Sequence, residues 1–122
     1  MKLRIKGNSL RLRLTKSEVK KLCTAGYLEE RISFGGNELI YSLQSTETFN
    51  EIKADYSGNK IAVAIPSSFI KDWEINDIIC LDSGNNINDQ ESLYILIEKD
   101  FQCLDKTTED QSDNYENPNK TC

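Results

Sequence analysis

The dipeptide Gly7-Asn8, set between the alternating runs Lys2–Lys6 and Ser9–Leu14, commits the start of this chain to one geometry. Glycine and asparagine tolerate the positive φ that a two-residue hairpin loop demands, so the flanking runs fold onto each other as antiparallel strands. With Gly7 and Asn8 as the loop, Lys6 faces Ser9, Ile5 faces Leu10, Arg4 faces Arg11, Leu3 faces Leu12 and Lys2 faces Arg13. Side chains alternate along a strand. Leu3, Ile5, Leu10, Leu12 and Leu14 therefore share an apolar face, and Lys2, Arg4, Lys6, Arg11 and Arg13 share the other. Like charges set directly opposite each other destabilise a strand pair. The cationic face works against its own hairpin, and such departures from local folding rules gather at functional sites.

The segment GNSLRLRLTKSEVKKL (7–22) returns without a gap, 51 residues later, as GNKIAVAIPSSFIKDW (58–73). Leu10, Leu12 and Leu14 align with Ile61, Val63 and Ile65, Val19 with Ile70, and Leu22 with Trp73. Each copy has one apolar face to bury, which predicts a duplicated ββαββ unit with approximate two-fold symmetry. Repeat 1 spans about 1–44 and repeat 2 about 48–100. The expected fold class is α+β, mainly antiparallel β-sheet in a barrel-like arrangement, with two short helices. Where the first hairpin carries Lys2, Arg4, Arg11 and Arg13, the second has Lys53, Asp55, Ala62 and Ala64. The fold does not require the basic face.

Further along, Thr15-Lys16-Ser17-Glu18 has the spacing of a capping box, and Leu14 with Val19 that of a hydrophobic staple, so a helix starts here and Gly26 ends it. Val19, Leu22 and Cys23 form its apolar stripe, with Cys23 read as a core thiol. A second hairpin is expected over 27–34 and 38–44 around Gly35-Gly36-Asn37, and a third over 48–56 and 60–65. Pro66 opens the second short helix, whose buried side is Phe69, Ile70 and Trp73. Strands follow over 78–81 and 92–98, joined by a polar loop.

A chain of 122 residues reads as one domain, 1–104, followed by an acidic segment, 105–122, docked on it. The net charge of −5 conceals a polarity: residues 1–21 hold eight basic side chains and one acid, whereas 82–122 hold ten acids and three lysines. Such polarity calls either for a charged partner or for one end lying over the other. The tail acids Asp105, Glu109, Asp110 and Asp113 are the expected intramolecular contacts for the basic face. The absence of an 18-residue apolar run argues against membrane association. Four cysteines without a C-x-x-C pair point to a cytoplasmic protein with reduced thiols.

Enzyme chemistry finds little support: no histidine, glycine-rich phosphate loop or nucleophile elbow is present, and no cofactor is implied. Asp105, Thr107, Glu109, Gln111, Asp113 and Glu116 take the spacing of a calcium loop, but Asp110 stands where the sharp turn needs glycine. Cys103 and Cys122 are the candidate zinc ligands, an unusual set without histidine.

With RIKGNSLRLRLTKSEV at one end and LIEKDFQCLD and EDQSDNYENPNKTC at the other, the chain resembles an uncharacterised family of short bacterial proteins classed as a domain of unknown function. The resemblance implies a bacterial, cytosolic protein whose tail is part of its structure, and it transfers no catalytic residue. The run IAVAIPSSFIKDWEINDIICLD is also similar to the swapped-hairpin DNA-binding fold of antitoxins and transition-state regulators. That similarity implies that Arg4, Arg11 and Arg13 contact DNA phosphates, although the acidic composition runs against the usual footprint of a DNA-binding domain. The expected role is a small non-enzymatic binding protein whose basic hairpin face takes an anionic ligand or an acidic partner segment. DNA binding is the first alternative, and metal binding through the Cys103–Cys122 segment the second.

Overall fold

The computed structural model describes residues 1–83, 93–101 and 112–116. Its elements are β1 (Lys2–Lys6), β2 (Ser9–Leu14), α1 (Lys16–Ala25), β3 (Tyr27–Ser33), β4 (Glu38–Thr46), β5 (Lys53–Ser57), β6 (Lys60–Pro66), β7 (Cys80–Asp82) and β8 (Tyr94–Lys99). A single 3-10 turn, Ser67–Phe69, follows β6. Strands dominate, and the class is α+β. The first hairpin has the expected register, Lys2 opposite Arg13 through Lys6 opposite Ser9. Its loop needs Gly7, which adopts φ +55°.

Two four-stranded mixed sheets result, ordered β1-β2-β8-β7 and β3-β4-β6-β5. In each, two antiparallel hairpins are joined at the centre by a parallel pair. Ser9 through Leu14 of β2 run alongside Tyr94 through Lys99 of β8, and Ile40 through Thr46 of β4 alongside Lys60 through Pro66 of β6. Four of the six described strand pairs are antiparallel, as expected; the two central parallel pairs, which make both sheets mixed, were not foreseen. Alternation along a hairpin specifies its own partner strand but carries no information about a partner some 85 positions away.

The apolar faces of both sheets and one side of α1 meet in a common core containing Leu12, Leu14, Val19, Leu22, Leu28, Leu43, Val63, Ile65, Trp73, Ile95 and Ile97. Trp73 is fully buried, and its indole N–H donates to the Ile78 carbonyl at 2.9 Å, so this large side chain is packed without an orphaned donor. Cys23 is only partly buried, at the margin of this core, and its thiol donates to the Ile70 carbonyl. Ile5, grouped with the apolar face, remains 59% exposed near the hairpin tip.

The helix start follows the expected capping box, with the Glu18 carboxylate accepting the Thr15 N–H at 2.9 Å. The N-terminal ammonium of Met1 also pairs with Glu18 and, at 3.1 Å, with Glu30. Gly26 closes α1 at φ +78° and donates to the Leu22 carbonyl.

The expected second short helix is reduced to the 3-10 turn after Pro66: Asp72 then adopts φ +62°, and the chain continues through short turns. A left-handed residue ends helical propagation. The following bonds, Trp73 N–H to Ile70 O and Asn76 N–H to Asp72 O, belong to separate turns. The third hairpin is shorter than expected, its first strand starting at Lys53 and not at 48, while β4 runs on to Thr46.

Truncating Leu12, 1% exposed, should cost about 3 kcal/mol through lost burial and the cavity left behind. Ile5→Ala should cost less than about 0.5 kcal/mol because that side chain is largely in water already. Urea unfolding midpoints of the two variants, read at an unchanged m-value, test the contrast.

Candidate anion-binding site

Alternation along β1 and β2 leaves Lys2, Arg4, Lys6, Arg11 and Arg13 on the outer face of the first sheet, as expected from the sequence. The parallel neighbour β8 then divides them. Its Glu98 stands level with Arg13, and the Arg13 Nε–H donates to the Glu98 carboxylate at 2.6 Å. The same carboxylate oxygen lies 3.8 Å from the Arg11 Nε. The Lys2 ammonium lies 3.2 Å from the buried carboxylate of Asp100. One end of the cationic face is thus neutralised from within the fold by two acids that the hairpin sequence could not reveal.

Among the described residues the other end is not. Arg4, Lys6, Ser9 and Arg11 line a hollow of about 180 Å³ at the hairpin tip. Among the described residues neither Arg4 nor Lys6 has an acidic partner. The Ser9 hydroxyl donates to the Lys6 carbonyl at 2.6 Å, which fixes the loop and leaves the hydroxyl oxygen's lone pairs free to accept. Two guanidinium groups and an ammonium gathered around a small concavity suit a compact oxyanion, since each guanidinium offers a planar fork of donors.

On the second sheet the corresponding surface is different in kind. Arg31 there lies between Glu29 and Glu38, at 3.1 and 3.2 Å. Lys60 donates to the Tyr27 hydroxyl at 3.1 Å, and that hydroxyl donates to Glu29 at 2.9 Å. The Tyr27 hydroxyl above all, and then Arg31 and Lys60, hold the Glu29 carboxyl below its ordinary range. Every described cation of that cluster has an acid beside it, and Ala62 and Ala64 stand on β6 where the first hairpin has arginines.

Of the four tail acids expected on the basic face, the described residues include only Asp113, and it lies elsewhere. Asp105, Glu109 and Asp110 lie outside the described residues. Asp113 lies against the start of α1: its carbonyl accepts the Lys16 N–H at 3.0 Å, and its carboxylate accepts the Ser17 N–H at 3.3 Å and the Ser17 hydroxyl at 2.5 Å. The first N–H groups of a helix have no partner within the helix, and its N-terminus favours negative charge. That competition draws Asp113 to α1 instead of the hairpin face. The hydrogen bond from Ser17, followed by contributions from Thr15 and Lys16, lowers the Asp113 carboxyl below its usual value. Beside it, Tyr115 packs on Phe101 with ring centroids 5.6 Å apart.

Cys103 and Cys122, the expected zinc ligands, are outside the described residues, as is most of the calcium-like spacing. Among the described residues no group of three or more Cys, Asp or Glu gathers in a way that could hold a metal ion, and no helix is long and apolar enough to cross a membrane.

The family model for a family of unknown function (DUF7009) matches residues 1–119, and the chain belongs to that family. No curated protein and no solved structure matches the chain.

Asp113→Asn should lower stability by about 0.5–1 kcal/mol at pH 7 through the weakened interaction with the helix terminus. A carboxyl whose pKa is lowered on folding stabilises the protein above its ordinary pKa, and that stabilisation is lost as pH falls through the folded value. Denaturation curves of wild type and Asp113→Asn should therefore separate at neutral pH and converge in acid.

Proposed function

Family membership transfers no activity, and we propose from the geometry of the hairpin tip that this chain is a small, non-enzymatic, cytoplasmic binding protein for an oxyanion. The ligand is a phosphate-like group, or a carboxylate presented by a partner segment, held by Arg4, Lys6, Arg11 and the Ser9 hydroxyl. One observation carries this reading: the protein leaves Arg4 and Lys6 without an acidic partner among its described residues, in a hollow of about 180 Å³, while Glu98 and Asp100 quench the far end of the same face. Holding like charges together without compensation costs stability, and a bound anion reverses that cost. The cytoplasmic assignment is supported by the free thiols of Cys23 and Cys80.

A second reading, a DNA-binding regulator, is favoured by the topology. If the chain is a duplicated ββαββ unit, its N-terminal hairpin β1-β2 lies beside the C-terminal hairpin β7-β8 of the other half, and β3-β4 beside β5-β6. Such an exchange of hairpins between halves matches the swapped-hairpin similarity, with Arg4, Arg11 and Arg13 as phosphate contacts. Arg13 would then have to leave Glu98.

Calorimetric titration with inorganic pyrophosphate should show binding that weakens with added salt. A charge-assisted hydrogen bond contributes about 1.5–3 kcal/mol, so Arg4→Ala and Arg11→Ala should each weaken it by about tenfold or more. Glu98→Gln should tighten it by freeing Arg11. No binding at low salt, or equal affinity in all three variants, would refute the oxyanion site. Retention of duplex DNA with a steep salt slope, lost on Arg13→Ala, would select the regulator.

A further inference from the structure

Strand alternation places Lys99 on the core side of β8, where Ile95 and Ile97 precede it, and directly level with Leu14 of β2. It is 5% exposed. At the matching rung of the second sheet, Ile65 lies level with Ser45, so a lysine is not a requirement of this strand pairing. The Lys99 Nζ donates to the Asn76 carbonyl at 2.8 Å and lies 5.7 Å from the Trp73 ring centroid and 5.2 Å from that of Tyr115. No carboxylate among the described residues forms an ion pair with it.

This amine lines a pocket of about 300 Å³. Ile79, Phe101 and Tyr115 supply apolar walls, and the exposed carboxylates of Glu74 and Asp77 also line it. Two acids in the lining repel a carboxylate or phosphate, so the pocket suits a neutral guest. We propose that it is a carbonyl-binding site in which Lys99 forms an imine with a small aldehyde or ketone bearing an apolar or aromatic substituent. An amine reacts as a nucleophile only when unprotonated, and desolvation disfavours the ammonium form. Burial lowers the Lys99 pKa, opposed first by the carboxylate of Asp77. The groups facing it are Cys23 from α1, Glu74 and Asp77 from the turn before β7, and Tyr115 from the docked tail segment.

In the reaction the Nζ lone pair attacks the carbonyl carbon, a C–N bond forms, and the carbonyl oxygen takes up a proton. The carbinolamine then loses that oxygen as water while nitrogen gives up its proton and the C=N bond forms. Protons are exchanged with Asp77 or solvent, and no oxidant or reductant is consumed. The apolar substituent of the guest lies along Phe101 and Tyr115.

Incubating the full chain with benzaldehyde and sodium cyanoborohydride, followed by peptide mass mapping between pH 6 and pH 10, tests the site. At neutral pH the adduct should form on Lys99 several-fold faster than on the exposed Lys20, Lys21 and Lys71. That advantage should shrink as pH rises toward the ordinary lysine value of 10.5, where the surface amines also lose their protons. In Lys99→Arg the fast-labelled peptide should disappear while surface labelling continues. Labelling of exposed lysines with Lys99 untouched or slower in the wild-type protein would overturn the proposal, whatever the variant does.

Discussion

The in-register parallel pairing of β2 with β8 is the contact on which the molecule depends. An isolated two-stranded hairpin is marginal in water, and β1-β2 gains its third strand only when residues 94–99 arrive from the far end of the chain. Parallel neighbours cannot be joined by a tight turn. Here α1 and the second sheet supply the crossover, and the second sheet is closed by the same device, β4 beside β6. Core formation and sheet closure are therefore one event. Leu10 and Leu12 are left only 7% and 1% exposed beside Ile95 and Ile97, which no local rule associates with them.

The same pairing sets the electrostatics of the outer surface. A hairpin considered alone presents five cations to solvent, and β8 converts that uniform patch into a gradient. Level with Arg13 it contributes Glu98, and just beyond its end Asp100 meets Lys2. At the tip the neighbour of Ser9 is Tyr94, which offers no charge to Arg4 or Lys6. The neutralised end is thus a structural part of the strand junction, while at the tip no described acid meets Arg4 or Lys6. The tip combines concavity with cationic side chains, and field focused into a recess attracts anions more strongly than the same charge on a flat surface.

Local chemistry was legible in the sequence wherever a residue's partner lies within a few positions. Gly7-Asn8 determined the first hairpin to the residue, and Thr15 with Glu18 located the start of α1. The pattern around Pro66 misled because its buried positions, Ile70 and Trp73, satisfy helical spacing, and turns centred on Asp72 place the same side chains inward with less regular backbone. The tail acids were read against the largest cationic surface, but the unpaired N–H groups of α1 offered Asp113 directional hydrogen bonds that a diffuse basic face cannot. Glu98 and Lys99 were invisible as functional elements for a different reason. Alternation in YILIEK says that the two point to opposite sides, but not that one meets arginines and the other a tryptophan.

Both candidate sites are built on the β2-β8 pair, and its geometry makes them independent. The hairpin tip lies at the rung of Ser9 and Tyr94, and the buried amine at the rung of Leu14 and Lys99. Five residues of extended strand separate these rungs by roughly 17 Å, and alternation puts the two sites on opposite faces of the sheet. No small ligand spans both. An oxyanion at the tip and a carbonyl compound beside Trp73 would couple only through the rigidity of the strands between them, and rigid packed strands transmit energy between sites only where they have two arrangements to choose from. The ladder along β2 and β8 is in register throughout, with Leu12 and Ile97 filling its core side, and nothing in it marks a second arrangement. Occupation of one proposed site should therefore leave the affinity of the other unchanged.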